Sequence, residues 1–151
     1  MLKTWLLKLL NLLLGQDKEQ IEPTIRATIG IGELWELLKA RFPTADIYLA
    51  DEVYQLCSPE DIATFLAQDN TNKMGFVDEL RDCDDFAYRL MGQLSVPKWS
   101  GLAVGICWTE NHAFNCFLDN NKKLWFIEPQ SDAVLEDLIV WQGTTIRFLV
   151  M

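Results

Sequence analysis

The 151-residue chain has one histidine, His112, and no two cysteines in C-x-x-C spacing. That leaves too few nitrogen and sulfur ligands for a zinc site. Basic residues are scarce too, 13 Lys and Arg against 22 Asp and Glu, a formal charge of −9. Phosphate backbones are held through Lys and Arg, so this balance argues against nucleic acid and against simple attraction to anionic membranes. No EF-hand spacing, internal repeat or low-complexity run is visible. The leucine-rich stretch Leu2 to Leu14 is interrupted by Lys8 and Asn11, is too short to span a bilayer, and precedes no small-residue cleavage site. It is expected to be a helix docked on the domain or on a partner, with a membrane-surface helix as the alternative. Without a convincing secretion signal, Cys57, Cys83, Cys107 and Cys116 are expected to be reduced thiols, with the cytoplasm as the default compartment.

What is present suits an ordinary globular fold, with half of the residues hydrophobic and 23% charged. We divide the chain into residues 1–22, the leucine-rich helix and a polar linker, and a single domain over 23–151. Ile31, Leu34, Trp35, Leu38 and Phe42 recur at helical spacing, and Pro43 ends that helix. Asp46 to Leu56 is strand-like but interrupted by Asp51 and Glu52. Ser58-Pro59-Glu60-Asp61 is a helix start of the capping-box kind, for a helix reaching about Gln68. A polar turn, Asp69 to Lys73, and a short helical stretch, Met74 to Leu80, then lead to Cys83. From there Phe86, Ala87, Leu90, Met91 and Leu94 mark another helix. Strands are expected over Leu102 to Trp108, Ala113 to Leu118, Leu124 to Ile127 and Thr145 to Val150, with a short helical turn over Ser131 to Leu138. The order predicts an α+β fold, helices first and an antiparallel sheet after.

The chemistry centres on Asp82-Cys83-Asp84-Asp85. With Asp82 as cap, Cys83 sits in the first turn of a helix, where N–H groups and the helix dipole favour a thiolate and can hold an oxyanion. The competing reading is a buried core thiol on the same face as Ala87 and Leu90. A three-residue loop, Asp119 to Asn121, would pair Leu118 with Lys122 and set His112 directly opposite Glu128, where a carboxylate orients the imidazole. A two-residue loop would put them on opposite faces. Asp82, Asp84 and Asp85 disfavour a thiolate, and a hard cation held by these and other oxygens, with Asp51 or Asp46 as candidates, would offset that.

Three blocks, Asp82-Cys83-Asp84-Asp85-Phe86-Ala87, Asn111-His112-Ala113-Phe114-Asn115 and Trp125-Phe126-Ile127-Glu128-Pro129-Gln130, resemble the papain-like C-terminal domain of a mushroom agglutinin, which has stand-alone bacterial and phage relatives. More distantly they are similar to transglutaminase-like thiol enzymes. The match covers roughly Asp46 to Gln130. The resemblance implies a cysteine peptidase with Cys83 as nucleophile, His112 as base and Glu128 as orienting acid. It further implies dependence on Ca²⁺ or Mn²⁺, with Asp84, Asp85 and the Asp51 stretch as metal residues, a peptide or protein substrate, and a homodimer. Too few residues precede Asp46 for the agglutinin's sugar-binding trefoil, so carbohydrate targeting is not implied. For the oxyanion, Gln130, Gln55 and Trp108 are side-chain candidates. A transglutaminase or cell-wall amidase is possible with the same residues. The rival from another class is a non-catalytic binding or assembly module, with Trp99, Trp108, Trp125 and Trp141 lining a cleft or an interface.

Overall fold

The computed structural model describes residues 21–139 and 142–151, so the leucine-rich segment and Trp141 lie outside the described residues. The chain runs β1 (Ala27–Gly30), α1 (Ile31–Arg41), β2 (Asp46–Tyr48), β3 (Val53–Leu56), α2 (Pro59–Leu66), a 3-10 turn (Thr71–Lys73) and α3 (Cys83–Leu94). It continues with β4 (Val104–Trp108), β5 (Ala113–Leu118), β6 (Leu124–Glu128), β7 (Ala133–Leu135) and β8 (Phe148–Val150). The fold is α+β, as expected. Its sheet is less simple than expected. Six strands run in the order β2-β8-β4-β5-β6-β7, with β2 parallel to β8 and the other pairs antiparallel, and β1 and β3 form a separate antiparallel pair. Strands from the N-terminal half therefore flank the C-terminal sheet. Among the described residues no helix is long and apolar enough to cross a membrane.

Two apolar clusters flank the sheet. Leu34 and Leu38 of α1, with Phe42 just past its end, pack with Phe114, Cys116 and Phe126. Leu90 and Leu94 of α3 pack with Phe117, Ile127 and Trp99. Alternation along β5 explains the split: Phe114 and Cys116 face α1, and Phe117 faces α3. Trp35 and Ile31, placed on the buried stripe by spacing, are exposed by 43% and 39%. The stripe of α1 is narrower than its sequence suggests. The end of the expected linker does not stand off the domain: the Ile21 carbonyl accepts a hydrogen bond from Trp99 Nε1 at 2.8 Å, and Glu22 pairs with Lys98.

Both helix starts follow their sequences. The Ser58 hydroxyl accepts from the Asp61 N–H and the Asp61 carboxylate accepts from the Ser58 N–H. Asp82 and Asp85 form the same reciprocal box at α3.

Three local expectations change. Met74 to Leu80 is not helical. Val77 and Arg81 bridge in a tight turn, and Phe76 and Leu80 are exposed. Without a buried apolar face, a helix this short has little to stabilise it. The Ser131 to Leu138 segment contains the strand β7, because the edge of β6 takes a partner and Val134 and Leu135 reach the apolar clusters. The last strand is confined to Phe148–Val150.

Candidate active site

Cys83 is the first residue of α3, seated there by the capping box of its neighbours. It is part-buried, whereas Cys57, Cys107 and Cys116 are buried, and all four are free thiols. The N–H of Ala113, the first residue of β5, stands close enough to its sulfur to lower the thiol pKa, as does the Asp84 N–H. The Trp108 carbonyl, opposite Ala113 in the ladder, accepts instead from the Arg147 N–H at 2.8 Å. The thiol thus lies against the residue that follows His112.

The sheet brings His112 and Glu128 together by a different route from the one expected. Leu118 pairs with Leu124, not Lys122, and Asn115 with Ile127, so Glu128 is level with Phe114. The cause is Asp119. Its Oδ1 accepts from the Asn121 and Lys123 N–H groups at 2.8 and 2.9 Å, and its Oδ2 accepts from Trp125 Nε1 at 2.9 Å. This carboxylate closes a five-residue loop over residues 119–123. The register moves by two, which preserves the sheet face. His112 and Glu128 are therefore diagonal neighbours, and His112 Nε2 lies 2.7 Å from Glu128 Oε2. Their side chains are only 11% and 3% exposed. Glu128 Oε1 accepts from the Gln130 N–H at 3.3 Å, and the imidazole stacks on Phe114 with centroids 5.7 Å apart.

A clasp that the sequence reading missed holds the His112 turn. Thr109 donates its N–H to the His112 carbonyl, and its hydroxyl oxygen accepts the His112 N–H at 3.1 Å. The same hydroxyl donates to the Gln142 carbonyl at 2.6 Å. Gly143 closes the clasp with φ +89°, and a β-carbon there would stand 2.7 Å from Thr109 Oγ1. Only glycine suits both constraints. A second missed residue is Asn115, fully buried, whose Nδ2 donates to the Ala87 carbonyl of α3 at 3.1 Å and to the Gly105 carbonyl of β4 at 3.3 Å. It bolts the helix that carries Cys83 to the sheet that carries His112. Neither residue lies in a sequence pattern that advertises its role; a polar residue at an all-apolar strand position is the one signal Asn115 offered.

The oxyanion candidates separate. Gln55 bonds to Gly101 and Ala103, at the end of β4 away from Trp108 and Ala113, about 16 Å along the strand at the usual rise. It is remote from Cys83. Trp108, opposite Ala113, and Gln130, beside Glu128, lie on the correct side. Trp108 is packed between Tyr88 and Phe148, Trp99 is core, and Trp125 stacks on Phe117. Trp99, Trp108 and Trp125 thus join elements together, and Trp35 stays exposed on α1.

The electrostatics of Cys83 oppose a thiolate. Burial raises its pKa first, and Asp82 and Asp84 raise it further, while the N–H groups of Ala113 and Asp84 pull it down. Asp84 is itself raised, through a hydrogen bond with Asp82, burial, and the charges of Asp82 and Asp85. Oxygens of Asp82, Asp84 and Asp85 all lie within 4.8 Å of one another. Three hard donors that close suit a divalent cation such as Ca²⁺ or Mn²⁺. Asp51 lies outside this cluster; it is exposed, and its N–H donates to the Tyr54 hydroxyl at 2.9 Å. Asp46 is held on β2 beside Arg147.

No protein-family model and no curated protein sequence matches the chain. Solved structures do. The chain is similar to the PSL1a-E64 complex, with 22% identity and a TM-score of 0.69 over 82% of this chain and 50% of that one. It is also similar to a Polyporus squamosus lectin bound to the human-type influenza-binding epitope Neu5Aca2-6Galb1-4GlcNAc, with 20% identity and a TM-score of 0.65 over 82% of this chain and 49% of the other. The chain spans about half the length of these proteins, and at this identity the likeness establishes one thing: the described domain shares its fold with about half of a mushroom lectin polypeptide.

Proposed function

We propose that this protein is a cysteine hydrolase that cleaves amide bonds, most simply those of peptides, through an acyl-enzyme on Cys83. The observation that carries the reading is the part-buried 2.7 Å contact between His112 and Glu128, beside a helix-start thiol that feels the next N–H along the strand. A carboxylate so placed fixes the tautomer of the imidazole and supports its protonated form. With Nε2 held by Glu128, Nδ1 is the nitrogen that exchanges a proton with the Cys83 thiol. In the reaction, Sγ attacks the carbonyl carbon, the proton passes through His112 to the leaving amine, and water then releases the acyl group. N–H groups at the start of α3 face the developing oxyanion. An amine in place of water would make the product a transamidation, and the same residues suit a cell-wall amide.

The Asp82, Asp84 and Asp85 carboxylates would hold Ca²⁺ or Mn²⁺. A bound cation supplies positive charge that offsets their repulsion of the thiolate and so lowers the Cys83 pKa. The dimer implied by the resemblance belongs to the same reading.

A second reading has its own support. The solved neighbours are lectins, one of them bound to a glycan epitope, and the metal-free electrostatics favour the protonated thiol. On that reading the fold serves binding and the triad is silent. The two part on turnover. An activated peptide ester, followed by quench and intact-mass measurement with Ca²⁺ present, should show an acyl adduct on the wild type, and none on Cys83→Ala. Absence of both adduct and hydrolysis, with or without Ca²⁺ or Mn²⁺, would leave the binding module.

A further inference from the structure

Away from Cys83, the turn after α2 meets the turn between β6 and β7. Asn72 Nδ2 donates to Asp132 Oδ2 at 2.6 Å, joining residues sixty positions apart. The other oxygens of these two side chains, Asn72 Oδ1 and Asp132 Oδ1, are buried and have no partner among the described residues. Both oxygens thus belong to one bonded pair of side chains that joins the two turns. In the same turn Thr71 is fully buried, and its Oγ1 also has no partner. Asp69 accepts the Thr71 N–H at 2.7 Å, and its charge acts on Asp132.

Buried oxygens are rarely left without partners, and three of them on two turns joined by a hydrogen bond point to an ion or ordered water. The donor set here is oxygen only: two carboxylates, a carboxamide and a hydroxyl, the set that hard cations select. Asp132 is held at φ +60°, a left-handed conformation retained where surroundings over-determine it. The Lys73 ammonium, whose charge also acts on Asp132, is exposed and donates its hydrogen bond to Asn70 Oδ1 at 2.6 Å, leaving the orphan oxygens unpartnered.

We propose that Asp69, Thr71, Asn72 and Asp132 form a second divalent-cation site, separate from the carboxylates around Cys83, that takes Ca²⁺ in preference to Mg²⁺. Irregular, mixed oxygen ligands from two turns suit the looser coordination of Ca²⁺ better than the strict octahedron of Mg²⁺. The site would pin the 69–73 turn, which packs on α3, to the residue preceding Ala133, the cross-strand partner of Glu128. It therefore ties together the two elements that bear the nucleophile and the acid.

The test is Ca²⁺ titration calorimetry with thermal melts on the full chain, in wild type, Asp84→Asn, Asp132→Asn and Asn72→Asp. Asp132→Asn suits the left-handed backbone and keeps the shape, so folding is retained. Asp84→Asn should retain binding at this site. Asp132→Asn should lose at least tenfold in affinity for one equivalent. Asn72→Asp should bind Ca²⁺ more tightly, while melting lower than wild type in chelator. Ordered water alone predicts no Ca²⁺ bound in Asp84→Asn, and a lower melting temperature for Asn72→Asp with or without Ca²⁺; that pair of results would overturn the site. Unchanged affinity in Asp132→Asn would overturn it equally. Neither readout depends on catalysis.

Discussion

The two sides of the candidate site are built on opposite principles. Glu128 is buried and His112 nearly so, the two lie 2.7 Å apart, and the His112 turn is clasped through Thr109 to the Gln142–Gly143 segment. Cys83 is part-exposed; the charges of Asp82 and Asp84 raise its pKa, and those of Asp82 and Asp85 raise Asp84 in turn. One side is preorganised as the chain folds. The other is poised against the charge it would have to carry, and only a cation or the imidazolium relieves it. Such an arrangement suits an enzyme governed by its metal. It also suits a fold that has kept the residues without the chemistry, and the following changes separate the two.

The largest effect should come from His112→Ala. If the imidazole takes the thiol proton, the alkylation rate of Cys83 near neutral pH falls by about a hundredfold or more; stopped-flow or mass-spectrometric kinetics measure this. Next is the clasp. In Gly143→Ala the new methyl meets Thr109 Oγ1 at 2.7 Å in a left-handed backbone, so stability should fall by about 2 kcal/mol in chemical denaturation. The rate at Cys83 should fall with it, because the His112 turn moves.

The acidic side should answer with the opposite sign. Asp84 has a raised pKa in the folded protein. The stability it contributes is therefore full below its unfolded value of 3.8 and is lost as pH rises through the folded value. At pH 7, in chelator, Asp84→Asn should melt slightly higher than wild type, and the gap should close below about pH 4. With saturating Ca²⁺ the order should reverse. The same variant in chelator should shift the pH dependence of Cys83 alkylation downward, since one of the charges opposing the thiolate is gone.

The smallest effect uses a thiol outside the site as reference. Burial, with Asp61 and Asp119 nearby, pushes Cys57 up to about 12 from 9.0. Keeping it neutral contributes stability in full below pH 9, and that contribution is lost as pH rises toward 12. Cys57→Ala should flatten the alkaline fall in stability, on a lower baseline from the lost packing, and Cys83→Ala should flatten it less.

Much of this contrast could be read from residues alone, and its limits have physical causes. The Asp82–Asp85 box and the thiol in the first turn are local, so spacing revealed them. That His112 and Glu128 share a face was also legible, because parity survives a shift of two. Their true register was not, since it depends on how Asp119 folds its carboxylate back on the 119–123 loop. Strands β2 and β7 are only three residues long, and their identity comes from the neighbours they pair with rather than from their own pattern. The Thr109–Gln142–Gly143 clasp joins residues more than thirty positions apart, where no periodicity connects them. The turn before Cys83 carried apolar residues that suggested a helix, and it displays them to solvent instead.

The central claim is that Cys83 and His112 act as one acid–base pair steadied by Glu128. The most direct test is labelling with an epoxysuccinyl thiol reagent of the E-64 type, mapped by mass spectrometry, in wild type, His112→Ala and Glu128→Gln, with Ca²⁺ and with chelator. The account predicts label on Cys83 over the other three cysteines, stronger with Ca²⁺, lost in His112→Ala and weakened in Glu128→Gln. Slow labelling of Cys83 that is indifferent to His112 and to Ca²⁺ would contradict it.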